Sequence, residues 1–446
     1  MKILIVSYYF APQNKIAAVR TTKIAKYLKR IGHEVEIICS TVNDSYVDPI
    51  LVGDIELIGP NNIYRISDHL LLRSINRRLH KNVSHSSTPS KSLQGKSSGK
   101  TAKKRVAKLF PNSASVYLEI INSILWYRKA KSITNRLDID SYDVILSSYG
   151  PLASPLLAHY IKIKSKRAKW ISDYRDPIVQ DIYHGLIRIY YKIKQYQFLR
   201  CSDASICVSE GMKKYLRRFD KDAAIFVITN GYDPEDARWC KKNSLPMQSE
   251  NKLIFSYCGA LYQGKRDLSP LFCALSNLTG KNLINLGNIV LYYAGNEYQL
   301  LYDMAKNYGI EGILVDCGKV ARDVSLTITY NSDIALIASW NDNSAQGVLT
   351  GKLFEILMLS KMVAAFISGN KANSELKRII ENVNAGYAYE EANPDQQQLE
   401  RVVVNAYKTK MKGINPIVVY NDEEVKKYDY SIIVGQLSKI IGQIGK

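Results

Sequence analysis

Three segments of the 446-residue sequence combine residue types that could bind or transform a ligand. The first is DYRDP (173–177), where a predicted strand ends and charges of alternating sign follow. Such charges are costly to bury unless they are paired or used. They either form an internal salt bridge between Arg175 and an aspartate that shapes the turn, or they project into a cleft. In a cleft, the carboxylate of Asp173 or Asp176 could accept or orient a hydroxyl proton. The sequence alone does not decide which of Asp173, Arg175 and Asp176 acts in catalysis.

The second segment, CGALYQGKR (258–266), follows the first predicted strand of the second half of the chain. Small residues such as Gly259 let the backbone approach a ligand, and two cations, Lys265 and Arg266, come next. A departing diphosphate needs fixed positive charge and backbone N–H groups to stabilise it. The pattern therefore indicates a diphosphate site, with a basic surface turn as the alternative.

The third segment is a long loop (339–350) that leads into a predicted helix. Thr350 suits the N-cap position, which leaves the backbone N–H groups of Leu349, Thr350 and Gly351 near a helix start, a natural phosphate site. Glu355 lies in the second turn of this helix, where its carboxylate could accept both hydroxyls of a ribose. The alternative is ordinary placement of an acidic residue near the positive end of a helix.

The sequence gives no indication of a metal centre or a bound cofactor. The six histidines show no metal-ligand spacing, and neither GxGxxG nor GxxxxGK[ST] occurs. A DxD sequence at 138–140 precedes a predicted strand rather than following one, and we interpret it as a solvated loop. The seven cysteines are scattered without a CxxC pair, which favours reduced thiols in a cytoplasmic protein.

Predicted strands alternate with helices through both halves of the chain, which indicates parallel sheets covered on both faces. We expect an α/β protein of two Rossmann-like lobes, with ligands in the cleft at the carboxyl ends of the strands. The first lobe spans 1–232, a polar linker 233–250 and the second lobe 251–425, and a terminal helix within 426–446 packs back onto a lobe. The predicted strands are 2–10, 34–39, 142–148, 168–174, 204–209, 223–228, 253–259, 289–295, 313–318, 333–338 and 361–368, and the predicted helices include 16–30, 152–165, 185–201, 298–308, 352–360 and 430–444.

The formal charge of +20 is concentrated in one region. Residues 65–136 hold 16 Lys and Arg against two acidic residues, a net charge of +14, and we interpret them as a basic insertion in the first lobe. Within it, 84–105 is of low complexity and is expected to be a flexible loop. The insertion either binds an anionic membrane surface or a polyanionic acceptor, or its charge only keeps it soluble. No nucleic-acid-binding motif accompanies the charge, so we expect no nucleic-acid partner.

The order and spacing of several motifs resemble those of family 4 glycosyltransferases with the GT-B fold, of the bacterial polysaccharide-building kind. The motifs are YYFAP with Arg20, Leu28 and GHEV after it, DYRDP, NGYD, SYCGALYQGKRD, the glycine-terminated strand YYAG, and GVLTGKLFEILMLSK. The likeness runs over most of the chain. It implies a nucleotide-sugar donor on the second lobe and an acceptor on the first.

Carried over residue by residue, the resemblance assigns the donor site. Lys265 would contact the diphosphate. Glu355 matches the second glutamate of the family's E-x7-E signature and would hold the ribose. The backbone of Leu349, Thr350 and Gly351 would cradle the diphosphate.

The sequence departs from the family pattern on the donor side at two positions. The first glutamate of E-x7-E falls on Gly347, and the usual arginine after the second-lobe glycine is Ala260. The negative charge of the leaving group would then be stabilised by Lys265, together with Arg266 or Lys352.

The acceptor side also departs from the pattern. The paired glycines usual after the first strand are absent, and we assign acceptor binding to Asn14 and Arg20. Family members often have a histidine near the position of DYRDP, where Asp173, Arg175 or Asp176 must serve here.

We therefore expect a metal-independent, retaining glycosyltransferase that needs no cofactor. It would move a sugar from a nucleoside-diphosphate-sugar to a lipid-linked or oligosaccharide acceptor in the biosynthesis of a capsule, O-antigen or exopolysaccharide. The N-terminus shows no signal-peptide pattern, so we expect a cytoplasmic protein, peripheral on the inner face of the membrane. Two other functions fit such a chain: a nucleotide-sugar epimerase of the same fold, and a non-catalytic scaffold that binds a polyanion.

Overall fold

The computed structural model describes residues 1–42, 47–68, 114–243 and 252–445. Two parallel sheets form within these residues, one in each half of the chain, which confirms the predicted α/β class with two Rossmann-like lobes. Most of the predicted basic insertion, including its low-complexity stretch, belongs to 69–113 and lies outside the described residues.

The first lobe is built on a seven-stranded parallel sheet with the order β3-β2-β1-β4-β5-β6-β7. The central strands β1 and β4 are short apolar runs whose residues are almost all buried, because helices cover both sides of the sheet. The strands are β1 (Lys2–Ser7), β2 (Glu34–Ser40), β3 (Ile63–Ile66), β4 (Val144–Ser148), β5 (Lys169–Tyr174), β6 (Ala204–Cys207) and β7 (Ile225–Val227). The sequence analysis did not predict β3.

The helices up to residue 243 connect these strands and lead out of the sheet. They are α1 (Ile16–Arg30), α2 (Pro49–Ile58), α3 (Ala114–Thr134), α4 (Ala153–Lys164), α5 (Gly185–Cys201), α6 (Glu210–Leu216) and α7 (Pro234–Asn243). The last of them lies within the segment predicted as a polar linker, so part of that segment is helical.

The second lobe is built on a six-stranded parallel sheet with the order β10-β9-β8-β11-β12-β13. Its strands are β8 (Leu253–Cys258), β9 (Ile289–Ala294), β10 (Leu314–Asp316), β11 (Ile334–Trp340), β12 (Met362–Ser368) and β13 (Gly386–Glu390). Its helices, and those that follow it, are α8 (Ser269–Gly280), α9 (Tyr298–Lys306), α10 (Arg322–Asn331), α11 (Gly351–Met358), α12 (Glu375–Asn382), α13 (Gln396–Met411), α14 (Asp422–Lys426) and α15 (Tyr430–Ile444).

The last helix, α15, packs on the first lobe although it follows the second in sequence. Val434 and Leu437 are fully buried in the same apolar cluster as Ala18 of α1 and Ile5 of β1. The chain therefore crosses between the lobes twice.

Helix α3 anchors the end of the basic insertion in the first lobe. Its apolar side chains, including Val116, Trp126 and Ala130, are buried against the sheet, while Arg128 and Lys129 are exposed. This part of the insertion is therefore a structural helix of the lobe. In the described part of the chain, no helix has the length and apolar character needed to span a bilayer.

Candidate functional site

Two of the contacts between the lobes join residues that follow the carboxyl ends of strands in one lobe to such residues of the other. The first contact lies after β1, where the Asn14 side-chain oxygen accepts a hydrogen bond from the backbone N–H of Arg322 at 3.1 Å. Nearby, Ile16 lies against Gly351 at the start of α11. Asn14, predicted to bind the acceptor, therefore contacts the second lobe.

The second contact joins the start of α6 to α12 and to the loop before α11. The backbone N–H groups of Glu210 and Gly211 donate to the Glu375 carboxylate at 3.0 and 3.2 Å. Gly347 has a φ of 69°, and a Cβ atom there would lie 2.7 Å from the Ser209 hydroxyl and 2.8 Å from the Gly211 Cα. A larger side chain at this position is therefore incompatible with the observed approach of the lobes.

Arg322, at the start of α10, is the centre of a buried network of charges at the first contact. Its guanidinium lies 3.3 Å from Asp48, 2.9 Å from Asp236 of α7 and 2.7 Å from Glu355 of α11. One buried cation thus compensates carboxylates from both lobes and from the connecting helix. The sequence analysis missed Arg322, because a single arginine at a helix start has no distinguishing local pattern.

Glu355, the predicted ribose ligand, belongs to this network. One carboxylate oxygen accepts a hydrogen bond from Arg322, and the other lies 2.9 Å from the Lys352 ammonium group. Burial acts to raise the pKa of Glu355, but Lys352 and Arg322 lower it to about 2, so the carboxylate is ionised at neutral pH. Ribose hydroxyls would have to join or replace these contacts, and the ribose role remains a prediction.

The start of α11 has the local geometry expected from the sequence. Thr350 is the N-cap, and its hydroxyl accepts from the backbone N–H of Lys352 at 3.3 Å. Leu349 is buried, and Gly351 begins the helix against the first lobe. The helix N-terminus, with its partial positive charge, therefore points towards the space between the lobes.

The loop after β8 uses its backbone N–H groups differently from the prediction. The Glu297 carboxylate accepts hydrogen bonds from the backbone N–H groups of Leu261, Tyr262 and Gln263 at 2.6, 3.1 and 3.0 Å. Tyr262 and Gln263 both have positive φ, 52° and 55°, so that successive N–H groups converge on one anion. These donors serve an internal carboxylate and are not directed at a diphosphate.

The glycine required by close packing at this edge of the sheet is Gly295 rather than Gly259. A Cβ atom on Gly295 would clash with the Tyr293 hydroxyl and lie 2.5 Å from the Gly259 carbonyl oxygen. A Cβ atom on Gly259 would meet only ordinary contacts at 3.7 Å or more. The sequence analysis had selected Gly259 as the donor-binding glycine.

The charged groups of Lys265 and Arg266 lie over two aromatic rings at the carboxyl ends of β8 and β11. The Lys265 ammonium group lies 5.0 Å from the centre of the Trp340 ring, and the Arg266 guanidinium lies 4.5 Å from Tyr262 and 5.6 Å from Trp340. Lys265 also lies 3.9 Å from Asp181 of the first lobe. We call these four residues, Tyr262, Lys265, Arg266 and Trp340, the cation cluster. Sequence reasoning predicted its cations and missed its aromatic support, because Trp340 ends a different strand.

Arg20 and Asp173 do not have the separate roles that the sequence suggested. The Arg20 guanidinium donates to both Asp173 carboxylate oxygens at 2.9 and 3.1 Å, and both side chains are almost fully buried. Arg20 also donates to the carbonyl oxygens of Ile228 and Thr229 at 2.8 and 2.7 Å. Neither residue is accessible to an acceptor in this structure, so the pair is structural, and the expected Arg175–aspartate salt bridge does not form with Asp173.

Arg175 and Asp176 are more open than Asp173. Arg175 is half-buried and donates to the Tyr149 carbonyl oxygen at 2.6 Å and to the Ser148 hydroxyl at 3.2 Å. Asp176 is exposed, and no described residue forms an ion pair with its carboxylate. Of the three predicted catalytic residues, the structure leaves Asp176 as the available carboxylate.

Among the residues that the structure describes, one group of acidic residues has carboxylate oxygens close enough together to hold a metal ion. Asp54, Asp233 and Glu235 form this group. The Lys26 ammonium group lies 2.8 Å from Asp54 and 2.6 Å from both Asp233 and Glu235, and the Lys23 ammonium group lies 2.8 Å from Asp54 and Asp233. Two lysine ammonium groups therefore already offset part of the negative charge of these three carboxylates.

Part of the chain matches the model of a known family. Residues 96–236 match the family described as Glycosyltransferase Family 4. No curated protein sequence matches the chain.

Solved structures with the same two-lobed architecture cover the chain from end to end. A trehalose-6-phosphate protein from E. coli, bound with UDP-2-fluoro glucose, has a TM-score of 0.61 and 13% identity, covering 100% of this chain and 99% of that one. Sucrose-phosphate synthase from Thermosynechococcus elongatus has a TM-score of 0.58 and 13% identity over 100% and 99% of the two chains. S. aureus TarM, in complex with fondaparinux, α-GlcNAc-glycerol and UDP, has a TM-score of 0.54 and 9% identity over 99% and 100%. The fold is GT-B.

Proposed function

We propose that this protein transfers a sugar from a nucleoside-diphosphate-sugar to a lipid-linked or oligosaccharide acceptor, because residues 96–236 match the Glycosyltransferase Family 4 model and the chain has the GT-B fold. The product would be a cell-surface polysaccharide precursor, made at the inner face of the membrane. Retention of the anomeric configuration and independence from metal ions are part of the proposal, and the family resemblance is what supports retention.

The observation that carries the proposal is the cation cluster. Lys265 and Arg266 hold two positive charges at the carboxyl end of β8, on aromatic rings that restrict their positions. A leaving nucleoside diphosphate develops negative charge as its bond to the sugar breaks, and fixed cations stabilise that charge without reorganising. The start of α11 adds a helix N-terminus on the same side of the cleft.

The acceptor would approach from the first lobe. Transfer breaks the bond between the anomeric carbon and the diphosphate oxygen and forms a bond to the acceptor hydroxyl oxygen, whose proton must leave. The exposed Asp176 carboxylate can orient that hydroxyl, and the proton can pass to it or to the departing diphosphate. Contact between the lobes at Asn14 and at Glu210 would then exclude water while the two substrates are aligned.

The test begins with the purified chain and a panel of nucleoside diphosphates. UDP, GDP and ADP are added separately, and the shift in unfolding temperature identifies the base that binds. The matching nucleotide-sugars are then incubated with lipid-linked and oligosaccharide acceptors, with EDTA present in a parallel series. Formation of glycosylated acceptor and free nucleoside diphosphate in both series supports the proposal.

Two controls separate the rival functions. Incubation of the donor alone shows whether the sugar is epimerised without transfer. If no nucleotide shifts the unfolding temperature and no sugar is transferred, the proposal is wrong, and the polyanion-binding scaffold is the function left to test.

A further inference from the structure

The outward face of α5 carries a stripe of large apolar side chains. Its residues and exposed fractions are Ile182 at 55%, just before the helix, and Leu186 at 84%, Ile189 at 53%, Ile193 at 58% and Tyr196 at 48%. The spacings of four, three, four and three residues place them on one side of the helix. We call these five residues the apolar stripe.

The opposite face of the same helix is already used by the core of the first lobe. Tyr191, Phe198 and Leu199 are buried there, with Trp170 of β5 against Phe198. A surface helix usually needs only this one apolar face. Single exposed apolar residues are common, whereas a continuous stripe marks an interaction surface.

The charge of α5 indicates the kind of partner. The helix contains four basic residues, Arg188, Lys192, Lys194 and Arg200, and no acidic residue. Lysine and arginine beside an apolar stripe can extend to lipid phosphates while their aliphatic stems lie along the apolar surface. A second copy of the same face would bring these four cations against four others, which disfavours a symmetric dimer.

We propose that α5 docks on an anionic lipid bilayer, with the apolar stripe entering the headgroup region and its basic residues at the lipid phosphates. This surface is separate from the basic insertion predicted from the sequence. It consists of a folded helix whose side chains are all described.

The position of α5 relates the docking to the cleft. Asp181, next to the first residue of the stripe, lies 3.9 Å from Lys265 of the cation cluster. Docking through α5 would therefore bring the opening between the lobes close to the bilayer. That consequence, access for a lipid-linked acceptor, rests on the proposed function, whereas the docking itself does not.

The test measures vesicle binding of the full chain by co-flotation. Wild-type protein is mixed with phosphatidylcholine vesicles that contain or lack 30% phosphatidylglycerol. We expect binding to the anionic vesicles, and a loss of at least about tenfold in partition coefficient for L186S/I189S/I193S, because the substitutions remove three exposed apolar side chains that would enter the bilayer. The matched control is I417S/V419S, which removes two apolar side chains that are 81% and 77% exposed on the second lobe, and it should bind as the wild type does.

A second measurement separates lipid from protein as the partner. Ile189→Trp places a fluorophore on the stripe, and its emission should shift to shorter wavelength only when anionic vesicles are added. Because the chain contains four native tryptophans, the wild-type spectrum is subtracted from that of the variant. A short-wavelength difference spectrum without vesicles, a dimer that the triple variant abolishes, or unchanged vesicle binding by that variant would each overturn the proposal. Nucleotide binding by the triple variant is measured alongside, so that failure of docking and failure of the glycosyltransferase proposal are read separately.

Discussion

The guanidinium of Arg322, on the second lobe, lies 3.3 Å from the carboxylate of Asp48, on the first. The same guanidinium contacts Asp236 of the connecting helix and Glu355 of α11. Burial acts to raise the pKa of Asp48, and the positive charge of Arg322 opposes that effect. The contact between the lobes at this end of the cleft therefore depends on a cation that three carboxylates share.

Replacement of Arg322 by methionine should destabilise the protein strongly. Three buried carboxylates would lose their shared cation, and breaking a buried ion pair from one side costs about 3–5 kcal/mol. The free energy of unfolding in urea measures the loss. Arg401→Met is the matched control, because Arg401 is exposed on α13, and we expect a change of about 0.5 kcal/mol or less. An equal effect of the two substitutions would show that the network is not a stabilising contact.

The ionised state of Glu355 should make stability depend on acid pH. Its pKa is about 2 in the folded protein against an ordinary 4.5, so its contribution is fully present above pH 4.5 and is lost as the pH falls towards 2. A shift of this size corresponds to roughly 3 kcal/mol. The difference in unfolding free energy between wild type and Glu355→Gln should therefore be largest at neutral pH and shrink between pH 4.5 and 2.

The control for this pH dependence is Glu381→Gln. Glu381 is on α12 with a largely exposed side chain and a long contact of 3.9 Å to Lys377. Its difference from wild type should stay small across the range, since exposed ion pairs contribute little. A pH-independent difference for Glu355→Gln would mean that the carboxylate acts through packing rather than charge.

Local patterns in the sequence were sufficient for most of the fold. The helices predicted at 185–201 and 430–444 occur with those bounds, because apolar periodicity is a local signal. The strands β3 and β13 were missed, because both are short and neither is a continuous apolar run.

The site was less predictable because its contacts join distant parts of the chain. Arg20 and Asp173 are 153 residues apart, and each looked available to a ligand when considered alone. Thr350 was predicted correctly as a helix cap, since capping needs only its own neighbours. Charged residues that a motif places near a predicted substrate site can therefore be paired with residues that are distant in sequence.

Gly347→Ala should separate the lobes at the second contact. The new Cβ atom would lie within 2.8 Å of Ser209, Glu375 and Gly211 atoms, and φ at this position is 69°. Backbone strain and overpacking together should cost about 2 kcal/mol or more. We expect a lower unfolding temperature and a larger radius of gyration in solution scattering.

Gly312→Ala is the control for Gly347, because a Cβ atom at residue 312 meets nothing within 4 Å. It should leave both the unfolding temperature and the scattering profile unchanged. If Gly347→Ala also changes neither the unfolding temperature nor the scattering profile, the lobes do not make this contact in solution.

Lys265→Ala tests the cation cluster in catalysis. Loss of a fixed charge near the leaving diphosphate should lower kcat by about tenfold or more, because the charge develops in the transition state. Lys408→Ala, on the exposed side of α13, is the matched control and should retain wild-type kinetics. An unchanged kcat in Lys265→Ala would remove this lysine from the reaction.

Glu297→Gln tests whether the internal carboxylate positions the loop that carries Lys265. The change keeps the size of the side chain but removes the charge that three backbone N–H groups share, and each hydrogen bond to a charged group contributes about 1.5–3 kcal/mol. Because the loop would lose its fixed conformation, we expect kcat to fall as in Lys265→Ala.

The double variant Lys265→Ala with Glu297→Gln should then be little slower than either single one, since both changes act on one group. Glu400→Gln, which lies on the surface beside Lys281 and Asn277, is the control. Fully multiplicative effects of the two changes would mean that Glu297 acts independently of Lys265.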